Sequence, residues 1–158
     1  ERDRQGPEVQ AGRRVSDASV SAGISPGVSP APPPDFTLLH PPGRFVNRAG
    51  RFYVRIEPDG ARTVGCWIGE DQANSEGFAH GGFLLAFADF ALSYIVKGVT
   101  LNLSAAIIRG ARVGGWIQST VVERKRSSAL IFADGIIRPD RHELMRVGGL
   151  FRPFEKKA

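Results

Sequence analysis

The sequence predicts an α+β domain in which a curved antiparallel β-sheet wraps around one long central helix. Two observations carry that expectation. The first is a single apolar run, Phe83 to Val96, interrupted near its middle by Asp89. At 3.6 residues per turn it forms about four turns, and a helix apolar almost all round must be buried on most sides. The second is a set of strand-like runs on either side, joined by turn-sized connections. Such connections suit antiparallel pairing better than parallel strands with helical crossovers.

Residues 1–35 are rich in Arg, Ser, Gly and Pro and end in Ser29-Pro30-Ala31-Pro32-Pro33-Pro34. That composition buries too little apolar surface to offset ordering entropy, so a disordered tail is expected there, with residues 36–158 forming one domain. Arg51 to Glu57 sets Phe52, Val54 and Ile56 against Tyr53, Arg55 and Glu57, which is strand periodicity. Pro58-Asp59-Gly60 signals a turn, and Val64, Cys66 and Ile68 alternate on a second strand. A polar loop from Glu70 to Phe78 leads into a helix from about Gly81 to Lys97, with Gly98 as its stop. Four further strands are expected near Thr100–Ile108, Trp116–Glu123, Ala129–Ile137 and Glu143–Phe151. A single sheet layer leaves an outer face and edge strands to manage. A homodimer that continues the sheet, or a tetramer built from two such dimers, answers that need.

The chain of 158 residues carries 21 Lys+Arg against 16 Asp+Glu; 17 of the former and 11 of the latter fall in 36–158. A basic domain suits a polyanionic ligand, but no nucleic-acid motif accompanies the charge, and no nucleic-acid partner is expected. Cys66 is the sole cysteine, so no internal disulfide forms, and a cytoplasmic setting is the plain inference. The chain does not open on Met, and its first residues show no basic start followed by an apolar core. The 14-residue run Phe83–Val96 is too short, and too polar at Asp89, to cross a bilayer, so no membrane partner is expected. No histidine pair stands at ligand spacing and no phosphate-cradling glycine loop is present, so neither metal nor cofactor is expected.

Chemistry concentrates in Asn74-Ser75-Glu76-Gly77-Phe78-Ala79-His80-Gly81-Gly82, followed nine residues after the histidine by Asp89. Asp89 is the only acid between Glu76 and Glu123. A carboxylate among apolar neighbours is costly to desolvate, which demands a reason for its presence. A glycine-rich helix start offers free N–H groups to a developing negative charge. Together they read as an oxyanion donor with a base or nucleophile. Equipment this sparse favours a thioester over an amide, because a thiolate leaves without a strong general acid.

These residues, with the element order and the strand opening Thr100-Leu101-Asn102-Leu103, resemble the hotdog-fold acyl-CoA thioesterases. The likeness is in particular to the PaaI-like branch of the 4-hydroxybenzoyl-CoA thioesterase superfamily, and it spans about Phe36 to Phe154. The resemblance implies active sites shared between two subunits. In it, Gly81 gives its N–H to the thioester carbonyl, and Asp89 of the other subunit serves as nucleophile or base. It implies that Thr100 orients that carboxylate or a water, and that Asn74 and His80 shape and polarise the site. Phe90 departs from the small polar residue that follows the acid in many relatives, and Glu76 adds a carboxylate to the loop.

Plainer roles stand beside these. His80 reads equally as a helix cap, Gly81-Gly82 as a close-packing pair, Asp89 as a structural acid and Thr100 as an ordinary strand residue. Gly82 and Phe90 are candidates to contact substrate, and Arg109 and Arg112 to meet a ligand's phosphates, if they are more than solvated turn charges. Three functions follow: an acyl-CoA or carrier-protein thioesterase, a non-catalytic acyl-CoA- or lipid-binding dimer, and a related hydratase or dehydratase. The third usually needs a His–acid arrangement on the helix that this sequence lacks.

Overall fold

A computed structural model of the chain describes residues 30–139 and 141–155. The expected tail therefore lies outside the described residues up to position 29. So does Asp140, in the last of the expected turns.

The elements run β1 (Thr37–Leu38), α1 (Arg44–Ala49), β2 (Phe52–Ile56), β3 (Arg62–Trp67), α2 (Gly81–Val96), β4 (Gly98–Ile107), β5 (Trp116–Arg126), β6 (Ile131–Arg138) and β7 (Met145–Pro153). A short 3-10 turn, Glu70–Gln72, precedes α2. All seven strands form one antiparallel sheet in the order β1-β2-β3-β5-β6-β7-β4, with α2 as its main helix. The expected pattern of two strands, one helix and four strands is therefore present. The sequence reading missed β1 and α1, which flank it.

Alternation places one face of the sheet on α2. Val64, Cys66, Ile117, Ile131, Ala133, Ile137, Met145, Val147 and Phe151 meet Leu84, Phe87, Ala88, Ala91 and Leu92 of the helix in one core. Each fully buried Leu, Ile or Phe stabilises by roughly 1.5–3 kcal/mol. Gly135 sets how closely α2 approaches β6, since a Cβ there would lie 2.7 Å from Leu92 Cδ1 and 2.9 Å from Val147 Cγ1.

The helix ends one residue before the expected stop. Lys97, not Gly98, takes the left-handed position (φ 55°, ψ 56°), and its N–H donates to Ser93 O. Gly98 already belongs to β4, where its small size lets the strand pair close. A Cβ there would sit 2.9 Å from Arg152 O. Arg126 Nη2 donates to Val96 O at 2.7 Å, placing a cation on the negative end of the helix dipole.

The outer face of the β2–β3–β5 half carries an aromatic layer. Trp116 packs edge-on to Phe36 (5.0 Å between centroids) and to Trp67 (5.2 Å), with Tyr53 at 5.7 Å. Gly65 makes room for it, because any Cβ there would overlap the Trp116 ring. Arg55 covers Phe36 at 4.9 Å and pairs with Glu57. The opposite edge is bare. On β4 and just beyond it, Val99, Leu101, Ile107 and Ile108 are 44–51% exposed. No helix among the described residues is long and apolar enough to cross a membrane.

Candidate active site at the start of the central helix

The amide end of α2 is held by three short segments. His80 is the N-cap in an extended conformation, and its Nδ1 accepts the Gly82 N–H at 3.0 Å. Its carbonyl accepts from Leu84 N–H at 3.1 Å. With Nδ1 engaged as an acceptor, the neutral ring carries its proton on Nε2, which is left as a donor on an exposed side chain. Among the described residues the Gly81 N–H has no acceptor. It belongs to the first helical residue, where helix geometry supplies none and the dipole is positive.

The loop before the helix is a tight turn built on Asn74. Its Oδ1 accepts from Glu76 N–H (3.0 Å) and Phe78 N–H (3.1 Å), while its own N–H donates to Phe78 O at 2.7 Å. The carboxamide oxygen is thus engaged in shaping the turn, with Gly77 at φ 74° completing it. This is the Asx-type use of asparagine, a local bond that folds the backbone back on itself. Glu76 is exposed on the same turn.

A second loop is stitched alongside. Ala79 N–H donates to Ala111 O at 2.7 Å, Val113 N–H donates to Gly77 O at 3.1 Å, and Phe78 bridges to Arg112. The Arg112 guanidinium lies 4.4 Å over the Phe78 ring, and Gly110 admits that ring at a distance no Cβ would allow. Arg109 is exposed on the same loop, its backbone N–H bonded to Leu144 O at 3.2 Å. Asn74, His80, Gly81, Gly82, Arg109 and Arg112 are therefore gathered around the start of α2.

Asp89 is not among them. Eight residues along the same helix separate it from Gly81, which is about 12 Å at 1.5 Å per residue. Its carboxylate is half-buried, and among the described residues it has no hydrogen bond or ion pair. It lies on the face shared with Leu85 and Ser93, one turn to either side. Thr100 is half-buried near the start of β4, opposite Phe151 and directly before a bulge at Leu101. Phe90 faces an aromatic row instead of open space. Its ring stacks on Phe52 at 5.0 Å and on Tyr94 at 5.7 Å, with Arg62 beyond at 5.8 Å from Tyr94. Phe90, a candidate substrate contact, thus braces α2 against β2, because the residue after Asp89 turns toward the core margin.

A cleft of about 430 Å³ opens beside the helix start, lined by Phe45, Arg48 and Ala49 of α1, by Asp71, Gln72 and Ala73, and by His80, Gly82, Phe83 and Ala86. The sequence reading assigned no function to α1 or to Gln72. A trace of the helix was present: Pro41-Pro42-Gly43 followed by Phe45, Val46 and Ala49 at helical spacing. Gln72 gave no such signal, standing in a polar loop among other polar residues. No group of metal ligands occurs among the described residues.

No protein-family model matches the chain. A curated relative named "Putative esterase PA0474", from Pseudomonas aeruginosa, is 26% identical over 127 residues, covering 75% of this chain and 95% of the relative. Among solved structures, the E. coli PaaI protein from the phenylacetic acid degradation operon aligns with a TM-score of 0.56 at 19% identity. It covers 60% of this chain and 72% of its own. A hypothetical thioesterase with coenzyme A from Streptococcus pneumoniae aligns with a TM-score of 0.61 at 17% identity, covering 68% and 88%. Strand order, the single buried helix and these neighbours show that the chain has the hotdog fold found in the thioesterase superfamily.

Proposed function

We propose that the protein is a thioesterase acting on acyl-CoA, working as a dimer in which each site takes residues from both chains. One observation carries the reading: among the described residues the Gly81 amide has no acceptor at the positive end of α2, while the one carboxylate of that helix has no partner about 12 Å along it. Within one chain the two groups cannot meet on a single carbonyl. A second copy added along the exposed apolar edge of β4 continues the sheet and brings its Asp89 toward the first copy's Gly81. The neighbour with coenzyme A supports the choice of thioester, and Arg109 and Arg112 supply cations for the phosphates of such a ligand.

In this reading the thioester carbonyl oxygen accepts the Gly81 N–H, and the Nε2–H of His80 adds a second donor near the sulfur. Asp89 takes the proton of a water that attacks the carbonyl carbon, or attacks it directly to form an acyl anhydride that water then hydrolyses. The C–S bond breaks, and the products are the free acid and the CoA thiol. A preorganised amide donor of this kind contributes on the order of 3 kcal/mol to lowering the barrier. Thr100, next to a bulge that re-aims the strand, is the candidate to orient Asp89 or the water.

Free-thiol release from a panel of acyl-CoAs tests this directly. Turnover of at least one member is expected. Tight binding by calorimetry with no thiol release across the panel would replace the enzyme with a non-catalytic acyl-CoA-binding dimer.

A further inference from the structure

α1 has little of its own to hold it in place. Six residues do not sustain a helix in water, and its local bonds beyond the helix's own ladder are few: Asn47 Nδ2 to Pro41 O and Gly43 O, Asn47 N–H to Gly43 O, and Gly50 N–H to Val46 O. Val46 and Ala49 pack partly against the core. Among the described residues, a single hydrogen bond ties α1 to a distant part of the chain, from Gln72 Nε2 to Ala49 O at 3.0 Å. That carbonyl belongs to the last turn of α1, where no helical partner exists.

The same residue makes two further attachments. Gln72 Oε1 accepts from Gly69 N–H at 2.9 Å, and its main-chain carbonyl accepts from His80 N–H at 2.7 Å. One half-buried glutamine thus joins the α1 wall of the cleft, the strap of the 3-10 turn and the cap of α2. The division of labour matters. The side chain holds the wall, and the main chain holds the cap.

We propose that Gln72 is a positioning residue that sets the distance between α1 and α2, and so governs how tightly the cleft grips the acyl portion of a thioester. This rests on the thioesterase reading above. Replacing the side chain frees α1 but leaves the main-chain bond to His80, so the Gly81 donor keeps its aim. Grip is lost equally in ground and transition states, which raises KM and leaves kcat alone.

The test measures kcat and KM for wild type, Gln72→Met, Gln72→Glu and Phe45→Ala over straight-chain acyl-CoAs of increasing length, alongside melting temperature. Gln72→Met, similar in volume but without either bond, is expected to raise KM about 5-fold, the scale of one neutral hydrogen bond. Its kcat should stay within about twofold of wild type. Gln72→Glu keeps the acceptor for Gly69 but sets an oxygen against Ala49 O, so its KM should rise further. Phe45→Ala, at an exposed position of the wall, should also raise KM. An unchanged KM in a folded Gln72 variant overturns the proposal, and so does a loss confined to kcat at constant KM, the mark of a purely structural role. If the Met variant fails to fold, the Glu variant decides by the same criteria. Wild-type protein that releases no thiol from any member sinks the thioesterase reading itself. Active wild type with unshifted Gln72 variants sinks only this inference.

Discussion

The two faces of α2 meet different surroundings. On one, Leu84, Phe87, Ala88, Ala91 and Leu92 are 0–1% exposed, locked against the sheet and spaced so that Gly135 must lack a side chain. On the other, Leu85 is 43% exposed, Asp89 has no bonded neighbour among the described residues, and β4 presents a row of bare aliphatic side chains nearby. The first face is finished by its own chain. The second is left open by its own chain, and it carries the helix's one charged group. The contrast separates what this fold needs to stand from what it needs to act.

Substitutions on the two faces should therefore fail in different ways. Phe87→Ala, on the finished face, is expected to lower stability by about 3–5 kcal/mol, read as a fall in the denaturant midpoint, with any surviving folded protein still active. Asp89→Asn, on the open face, should leave the midpoint near wild type and cut acyl-CoA turnover at least ~100-fold, the scale of a lost general base. Should turnover persist undiminished, Asp89 has no part in the chemistry. If each site takes residues from both chains, as proposed, Leu101→Arg on the bare edge should shift the protein from dimer to monomer in sedimentation and remove activity along with the dimer. An active monomer would break the link between edge and site.

The smallest effect concerns Cys66, beneath the finished face. Burial raises its thiol well above the ordinary value. Above about pH 8.5 the unfolded chain gives up this proton while the folded chain keeps it, so stability falls as pH rises through the alkaline range. The slope from this group reaches at most about 1.4 kcal/mol per pH unit. Denaturation between pH 8 and 10 should show a decline that is shallower in Cys66→Ala.

The finished face was legible in the sequence and the open one only in outline. Alternation at Phe52–Ile56 and the long apolar run announced strands and helix, because burial imposes periodicity directly. The short elements escaped. Two residues of β1 and six of α1 carry too little periodic signal, and α1 depends on Gln72, whose amide looks like any other polar loop residue. The helix stop went to Lys97 because Gly98 was needed for close packing against β7. Around the site, the resemblance has Asn74 shaping and polarising the site, and its oxygen folds the loop before α2, a local use that its residue type alone does not announce. Phe90, a candidate substrate contact, stacks on Phe52 of β2, since one residue's step along a helix turns a side chain by 100°. His80 caps α2 and Gly81 and Gly82 open it, at the helix start that the sequence predicts, because a helix start is the one place where glycine and a capping side chain declare themselves.

The outer aromatic layer has an experimental consequence. Both tryptophans of the chain, Trp67 and Trp116, sit in it 5.2 Å apart, on the β3–β5 half of the sheet. Intrinsic fluorescence is therefore a gauge with a fixed address. It registers loosening of that half and of the Phe36 cover over it. A chromophore placed on α1 adds a second reporter at the cleft wall, so the two signals separate loosening of the aromatic layer from events at the cleft.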